Sequence, residues 1–155
     1  MSERNGPSEA KQGFVTVTTG GQLFGIRIAK VRDVFVPKGL SRVPLAPPEV
    51  AGVLNLRGRI VTAIDLRRRL GLPAGTDGGT QVAVGIEDRG ELYGLLVDRI
   101  GDVVWLTTAT FEANPVNLGR RWSYVCDGVH RLDGGLMVVL DVDKVLDLSH
   151  LGVTA

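Results

Sequence analysis

Gly52-Val53-Leu54-Asn55-Leu56-Arg57-Gly58-Arg59-Ile60-Val61, followed by Ile64-Asp65-Leu66, reads as two apolar runs folded back around Arg57-Gly58. Apolar runs bounded by a glycine-containing turn mark a β-hairpin. Asp65 before Leu66-Arg67-Arg68-Arg69-Leu70, closed by Gly71, marks a short capped helix. The pattern returns downstream as Gly128-Val129, Gly134, Leu136-Met137 and Leu140-Asp141-Val142. A second echo lies upstream of each copy. Leu23-Phe24-Gly25-Ile26-Arg27-Ile28, then Val31 and Asp33-Val34, matches Leu92-Tyr93-Gly94-Leu95-Leu96-Val97, then Ile100 and Asp102-Val103. A repeated pattern is a repeated folding unit. Residues shared by both copies report on fold. Residues carried by one copy report on function.

Working outward, residues 14–18 and 22–28 form a hairpin around Gly20-Gly21, and 81–87 and 91–97 form another around Asp88-Arg89-Gly90. Residues 103–106 read as a strand, and 123–131 with 136–140 as the second copy's hairpin around Asp133-Gly134-Gly135. Residues 29–34 suggest a short helical turn, and 142–148 a terminal helix behind Asp141. Val43-Pro44-Leu45-Ala46-Pro47-Pro48 is too proline-rich for a central strand and reads as a loop. Residues 112–121 also read as a loop, and 73–80 as the most flexible internal stretch. Short strands with single-turn helices imply a mainly β protein. The duplication implies two small barrels sharing an apolar layer, because neither would bury enough alone. Residues 1–13 are expected to be a loose tail. Residues 14–155 form one domain, its subdomains falling at about 14–80 and 81–140, with 142–148 packing back.

The 155 residues are 44% hydrophobic but only 5% aromatic, so the core must be aliphatic. Such composition favours sheet. A net charge of +1, from 18 basic and 17 acidic side chains, speaks against a nucleic-acid partner, which needs a basic excess. A single cysteine excludes an internal disulfide. Residues 1–13 lack the apolar stretch of a signal peptide, and no run approaches the length of a membrane span. A cytoplasmic protein without membrane insertion is expected.

The sequence carries none of the common catalytic motifs. There is no Gly-x-Ser-x-Gly elbow and no phosphate-binding Gly-x-x-x-x-Gly-Lys loop. His130 and His150 form no metal motif, and Cys126 has no cysteine partner at zinc spacing. His130 reads as a hairpin residue facing solvent or a rim, His150 as surface, and Cys126 as a small core residue. Asp65 and Asp141 precede equivalent helices and read as caps rather than paired catalytic carboxylates. Arg67-Arg68-Arg69 reads as the solvated face of a short helix rather than an anion site. Trp105 and Trp122 suit an interface or a barrel rim equally. No catalytic residue, cofactor or metal is expected.

The copies differ at the hairpin turn. The first has Asn55-Leu56-Arg57-Gly58, the second Arg131-Leu132-Asp133-Gly134. Asn55 and Arg57 therefore belong to one copy alone. A guanidinium at a hairpin rim presents five donors in a fixed fork, suited to carboxylates or carbonyls on a partner.

These residues resemble a known family. Phe24-Gly25-Ile26, Val31-Arg32-Asp33-Val34, the stretch from Gly52 to Val61 and Ile64-Asp65-Leu66-Arg67 resemble the chemotaxis coupling proteins of the CheW family, as do Gly94-Leu95-Leu96-Val97-Asp98 and residues 136–145. The likeness implies two packed five-stranded β-barrel subdomains and no catalysis. It implies an adaptor between the cytoplasmic signalling tips of chemoreceptors (methyl-accepting chemotaxis proteins) and the regulatory domain of the histidine kinase CheA, recruited to membrane-associated receptor arrays. By position, Val31, Asp33, Val34, Arg57, Val82 and Ala83 carry the receptor contacts; the kinase-binding residues stay unassigned. Three positions depart from the family pattern. Thr62 stands where a proline is common, Asp33 where a longer Glu occurs, and Ala83 where a larger aliphatic residue occurs. Two other readings stay open: a similar adaptor in a pathway controlling twitching motility or gene expression, and a small-ligand-binding β-barrel.

Overall fold

In the computed structural model, which describes residues 10–73, 81–113 and 120–147, the strands form two sheets. The strands are β1 (Gln12–Thr19), β2 (Gln22–Arg27), β3 (Val31–Phe35), β4 (Val50–Leu56), β5 (Arg59–Asp65), β6 (Val82–Asp88), β7 (Glu91–Val97), β8 (Arg99–Leu106), β9 (Phe111–Glu112), β10 (Cys126–Leu132) and β11 (Gly135–Leu140). The six-stranded sheet runs β8-β1-β2-β11-β10-β9 and the five-stranded sheet β3-β6-β7-β5-β4. The anticipated mainly β fold of two packed units is therefore present, with the two-residue β9 as a sixth strand on one of them.

The repeat maps β1 to β5 onto β6, β7, β8, β10 and β11, and this mapping turns one strand order into the other. Strand membership, however, does not follow the successive stretches 14–80 and 81–140. The six-stranded sheet takes the hairpin β1–β2 from the first copy and β8 to β11 from the second. The five-stranded sheet takes β6–β7 from the second copy and β3 to β5 from the first. Each copy lends its leading hairpin to the other. The joins are parallel pairings, β2 with β11 and β7 with β5. A parallel pair needs a long crossover; between β5 and β7 it runs through the helix after β5 and through β6, and between β2 and β11 it runs through β3 to β10.

Both copies carry the same bulge. The register slips between Val50 and Gly52 in β4, and between Cys126 and Gly128 in β10. Gly52 and Gly128 sit at φ 153° and 146°, and a Cβ there would strike the Ser41 carbonyl or the Phe111 ring respectively. Only glycine satisfies both demands.

Three apolar clusters hold the fold. Phe35, Ala51, Ala63, Ala83 and Leu96 supply one side chain from each strand of the five-stranded sheet, so that sheet curls around its own small core. Phe14, Met137 and Val139, with Leu23, Val104, Leu106 and Leu132, do the same for the other. The largest cluster lies between the sheets and draws Val17, Phe24 and Ile26 from one, and Ile64, Val84, Leu95 and Val97 from the other.

Helices α1 (Leu66–Arg69) and α3 (Val142–Val145) follow β5 and β11. Asp65 accepts the Arg67 N–H at 3.0 Å and Asp141 the Lys144 N–H at 3.2 Å, as a capping role requires. The arginine run is not a solvated face. Arg69 is 1% exposed. Its Nε donates to the Val145 carbonyl at 2.8 Å and its Nη2 to the Lys144 carbonyl at 2.9 Å, so it closes the C-terminal end of α3. Arg67 donates through Nε and Nη2 to the two oxygens of Asp98, at 3.0 and 2.7 Å, while Asp98 also accepts the Gly20 N–H. The Arg67 hydrogen bond holds the Asp98 carboxyl below its ordinary range against the opposing effect of burial. Only Arg68 of the three is exposed.

Other local expectations shift. A 3-10 turn occupies Ile28–Lys30, and the helical reading of 29–34 gives way to β3. Alternation of half-buried and exposed residues in β3 is a strand period, and a six-residue window conceals it. Helix α2 (Arg120–Val125) takes the start of the expected strand at 123–131. Its Trp122 donates to the Leu70 carbonyl at 3.1 Å and sets its ring tilted against Phe24, so it packs, half-buried, against the core between the sheets. Gln12 and Gly13, expected in the loose tail 1–13, instead open β1, where they pair with Leu106 and Trp105 of β8. Residues 1–9 of that tail, 74–80 of the flexible stretch 73–80, most of the 112–121 loop, and His150 lie outside the described residues.

Arg69→Met removes the donors from the carbonyls that end α3, one of them in a buried hydrogen bond. It is expected to destabilise the fold by about 2–4 kcal/mol in urea denaturation. Arg69→Lys gives little recovery, because an ammonium cannot reproduce the planar fork.

Candidate functional site

β3 is the outermost strand of the five-stranded sheet and pairs only with β6. Val31 lies opposite Ile86 and Val34 opposite Val84. Ile86 and Val84 belong to the cluster between the sheets, and Val31 and Val82 pack against it. Cross-strand neighbours share a face. Val31, Val34 and Val82 therefore share the face that looks toward the other sheet. Val34, at 42% exposed, is the one that reaches solvent most openly. Val36 continues the line two residues on and is 50% exposed. Val36 was not among the expected contact residues, yet the Val34/Val36 alternation is visible in the sequence.

The other expected residues face the opposite way. Asp33 lies opposite Gly85, and Phe35 opposite Ala83. A Cβ on Gly85 would collide with Asp33 Oδ1, so this glycine makes room for the carboxylate. Arg57 Nη1 donates to Asp33 Oδ2 at 3.0 Å. That bridge spans β3 and the β4–β5 turn, at the two ends of the strand order, and the isolated pairing of Ser41 with Val53 closes the same gap. Ala83 is wholly buried against Ala63, Leu96 and Phe35. It presents no surface to a partner, and its small size is what admits the Phe35 ring. So the structure brings Asp33 and Arg57 into contact, and groups Val31, Val34 and Val82. The two groups meet only along β3.

Asn55 and Arg57 separate in role. Arg57 and Gly58 sit at φ 53° and 84°, a type I′ hairpin turn. Asn55 Oδ1 accepts the Gly58 N–H at 2.9 Å, so Asn55 serves the turn. The left-handed arginine is not itself a mark of function, since Arg89-Gly90 repeats it at φ 54° and 81°. What stands alone is the bridge. In the second copy Asp102 matches Asp33, Thr16 replaces Gly85, and Asp133 replaces Arg57. There Thr16 donates to the Asp102 backbone carbonyl at 2.6 Å, and Asp102 has no ion pair among the described residues.

The family model for CheW-like domains matches residues 13–150. The chain belongs to this family. The Treponema pallidum protein named "Chemotaxis protein CheW" is 28% identical over 144 residues, covering 89% of this chain and 84% of that protein. The Bacillus subtilis protein of the same name is 27% identical over 142 residues, covering 90% and 91%. A crystal structure of the scaffolding protein TtCheW from Thermoanaerobacter tengcongensis superposes with a TM-score of 0.73 at 24% identity, over 84% of this chain and 88% of that one. That likeness carries the fold. Membership of the CheW-like family makes the chain a non-enzymatic adaptor of chemotaxis signalling.

The remaining candidates fall into place within the CheW-like fold. Cys126 is buried, and burial followed by the Asp127 charge pushes its thiol up to about 12, so no thiolate forms at neutral pH. Among the described residues no group of His, Cys, Asp or Glu could hold a metal ion, and no helix is long and apolar enough to cross a membrane. Trp105 is exposed on β8. His130 corrects the solvent-facing reading. It is 4% exposed, lies between the rings of Phe14 and Phe111, and meets Thr110 Oγ1 through Nδ1 at 2.8 Å.

Two predictions come from this geometry. The Arg57 side chain is 75% exposed, so Arg57→Ala is expected to lower stability by less than about 1 kcal/mol in chemical denaturation. Burial, then the Arg27 charge, lowers the His130 pKa below its ordinary value. The unfolded chain therefore takes the proton first. Stability is complete above about pH 6.5 and falls as pH drops through that value toward the folded pKa. Melting curves between about pH 7.5 and 5.5 should show a smaller loss in His130→Leu than in the parent.

Proposed function

We propose that β3 and the Arg57 turn form the receptor-facing surface of an adaptor that couples chemoreceptors to the histidine kinase CheA. The observation that carries this reading is the Arg57–Asp33 bridge. It is present in one copy of the repeat and replaced in the other, although both copies build the same sheet. A helical receptor tip would lay apolar side chains on Val34 and its neighbours Val31 and Val82, which line the side facing the second sheet. Arg57 uses Nη1 on Asp33 and keeps further N–H donors for carboxylates or carbonyls of the tip. Asp33 aims the guanidinium. Ala83 acts from inside, by letting Phe35 seat β3.

CheA would engage this chain through its regulatory domain, at barrel ends away from β3, leaving the receptor surface free. The resulting complex resides at the cytoplasmic face of receptor arrays, held by its partners rather than by a membrane segment. That the relatives are named chemotaxis proteins favours this setting over a twitching or gene-control pathway.

Arg57→Ala and Val34→Asp are each expected to weaken co-sedimentation with receptor membranes by roughly tenfold, the loss of a little over 1 kcal/mol at a contact residue. Affinity for purified CheA should stay at the parental level. Undiminished receptor binding by both variants would remove β3 from the interface.

A further inference from the structure

We propose that a cavity in the six-stranded sheet binds a small amphipathic carboxylate with an aromatic or branched aliphatic body. The cavity encloses about 300 Å³, at the lower end of the range for small-molecule sites. Phe14, Leu106, Phe111 and Val139 give it apolar walls, and among its polar groups, with Gln12, Thr107 and Thr108, stand Arg27 and His130.

The internal repeat shows that the fold does not need those two polar residues. Arg27 matches Leu96 in the other copy, and His130 matches Leu54. Leu96 and Leu54 are buried aliphatic side chains in the five-stranded sheet. The six-stranded sheet places an arginine and a histidine at the equivalent positions, and both line the cavity.

The hydrogen bonding of each residue leaves capacity for a ligand. His130 has Nδ1 on the Thr110 hydroxyl, and its other ring nitrogen has no partner among the described residues. With the hydroxyl donating to Nδ1, the neutral ring carries its proton on Nε2 and can donate to an oxygen in the cavity. Arg27 Nη1 bonds Asp127 Oδ2 at 2.7 Å, and its remaining N–H groups have no partner among the described residues. They can take a carboxylate in fork geometry. Asp127 offsets the Arg27 charge, so the site holds an anion by directed N–H donors rather than by net charge, which disfavours a phosphate dianion more than a singly charged carboxylate. The apolar walls take the body of the ligand. The cavity belongs to the sheet that does not carry β3, so the proposal is independent of the receptor surface.

The test follows the His130 and Phe111 ring signals by NMR while the full chain is titrated with phenylacetate, 2-phenylethanol or inorganic phosphate. Phenylacetate is expected to give saturable shifts and to raise the His130 pKa. Arg27→Gln should weaken phenylacetate by roughly tenfold, the size of one charge-assisted hydrogen bond, and leave 2-phenylethanol unchanged. His130→Leu copies the other half of the repeat and so keeps the fold, and it too should lose phenylacetate. No saturable shift overturns the proposal. So does phenylacetate binding no better than 2-phenylethanol and indifferent to Arg27, which would leave only an apolar hole, or a preference for phosphate.

Discussion

The aliphatic layer between the two sheets is the constraint on which everything else in this chain depends. Each sheet has a small core of its own, but those cores hold only a handful of side chains. Burying an aliphatic side chain is worth about 1.5–3 kcal/mol, which a few residues cannot turn into a stable small barrel. Phe24, Ile26, Ile64, Leu95 and Val97 meet between the sheets and supply the missing burial. The exchange of leading hairpins makes that layer inescapable. The chain passes from β2 in one sheet to β3 in the other, and returns from β7 to β8. Neither sheet can form from one copy alone, so the copies must fold together.

This topology also decides which strands are free to meet a partner. The exchanged hairpins β1–β2 and β6–β7 sit inside their sheets, paired on both sides. The strand after each hairpin, β8 or β3, is pushed to the outside. An outer strand exposes backbone and alternate side chains, the usual starting point for recognition and a hazard when left bare. β3 carries Arg32 and is followed by Pro37 and Lys38, which discourage pairing with another strand while leaving Val34 open.

Much of this was legible from residues alone. The Arg57-Gly58 and Arg89-Gly90 hairpins, and the Asp65 and Asp141 caps, announce themselves because their causes are local. What stayed hidden has non-local causes. A repeat shows which segments are alike, not which copy pairs with which, so the hairpin exchange was invisible. Arg69 looked like solvent-facing charge because the carbonyls it satisfies belong to α3, far along the chain. His130 looked like a rim residue because the rings that enclose it come from β1 and β9. At the candidate site, copy comparison singled out Arg57. It could not show that Asp33 holds it, or that Ala83 points inward, since both facts require the β3–β6 register.

The Arg57–Asp33 bridge is poorly explained by stability. An ion pair this exposed contributes little to folding, and the second copy builds an equivalent sheet without one. Its value lies in geometry. A free arginine on a surface samples many rotamers and gives them up when it binds. Held by Asp33 at one nitrogen, Arg57 has already lost much of that freedom in the unbound chain. Gly85 matters for the same reason, because any larger residue would displace the carboxylate that does the holding. A weak bridge is also easily exchanged, so a partner carboxylate can share or replace Asp33 at small cost. The proposed receptor surface would thus be ordered before a partner arrives and still able to adapt when one does, as an adaptor poised between a receptor and a kinase requires.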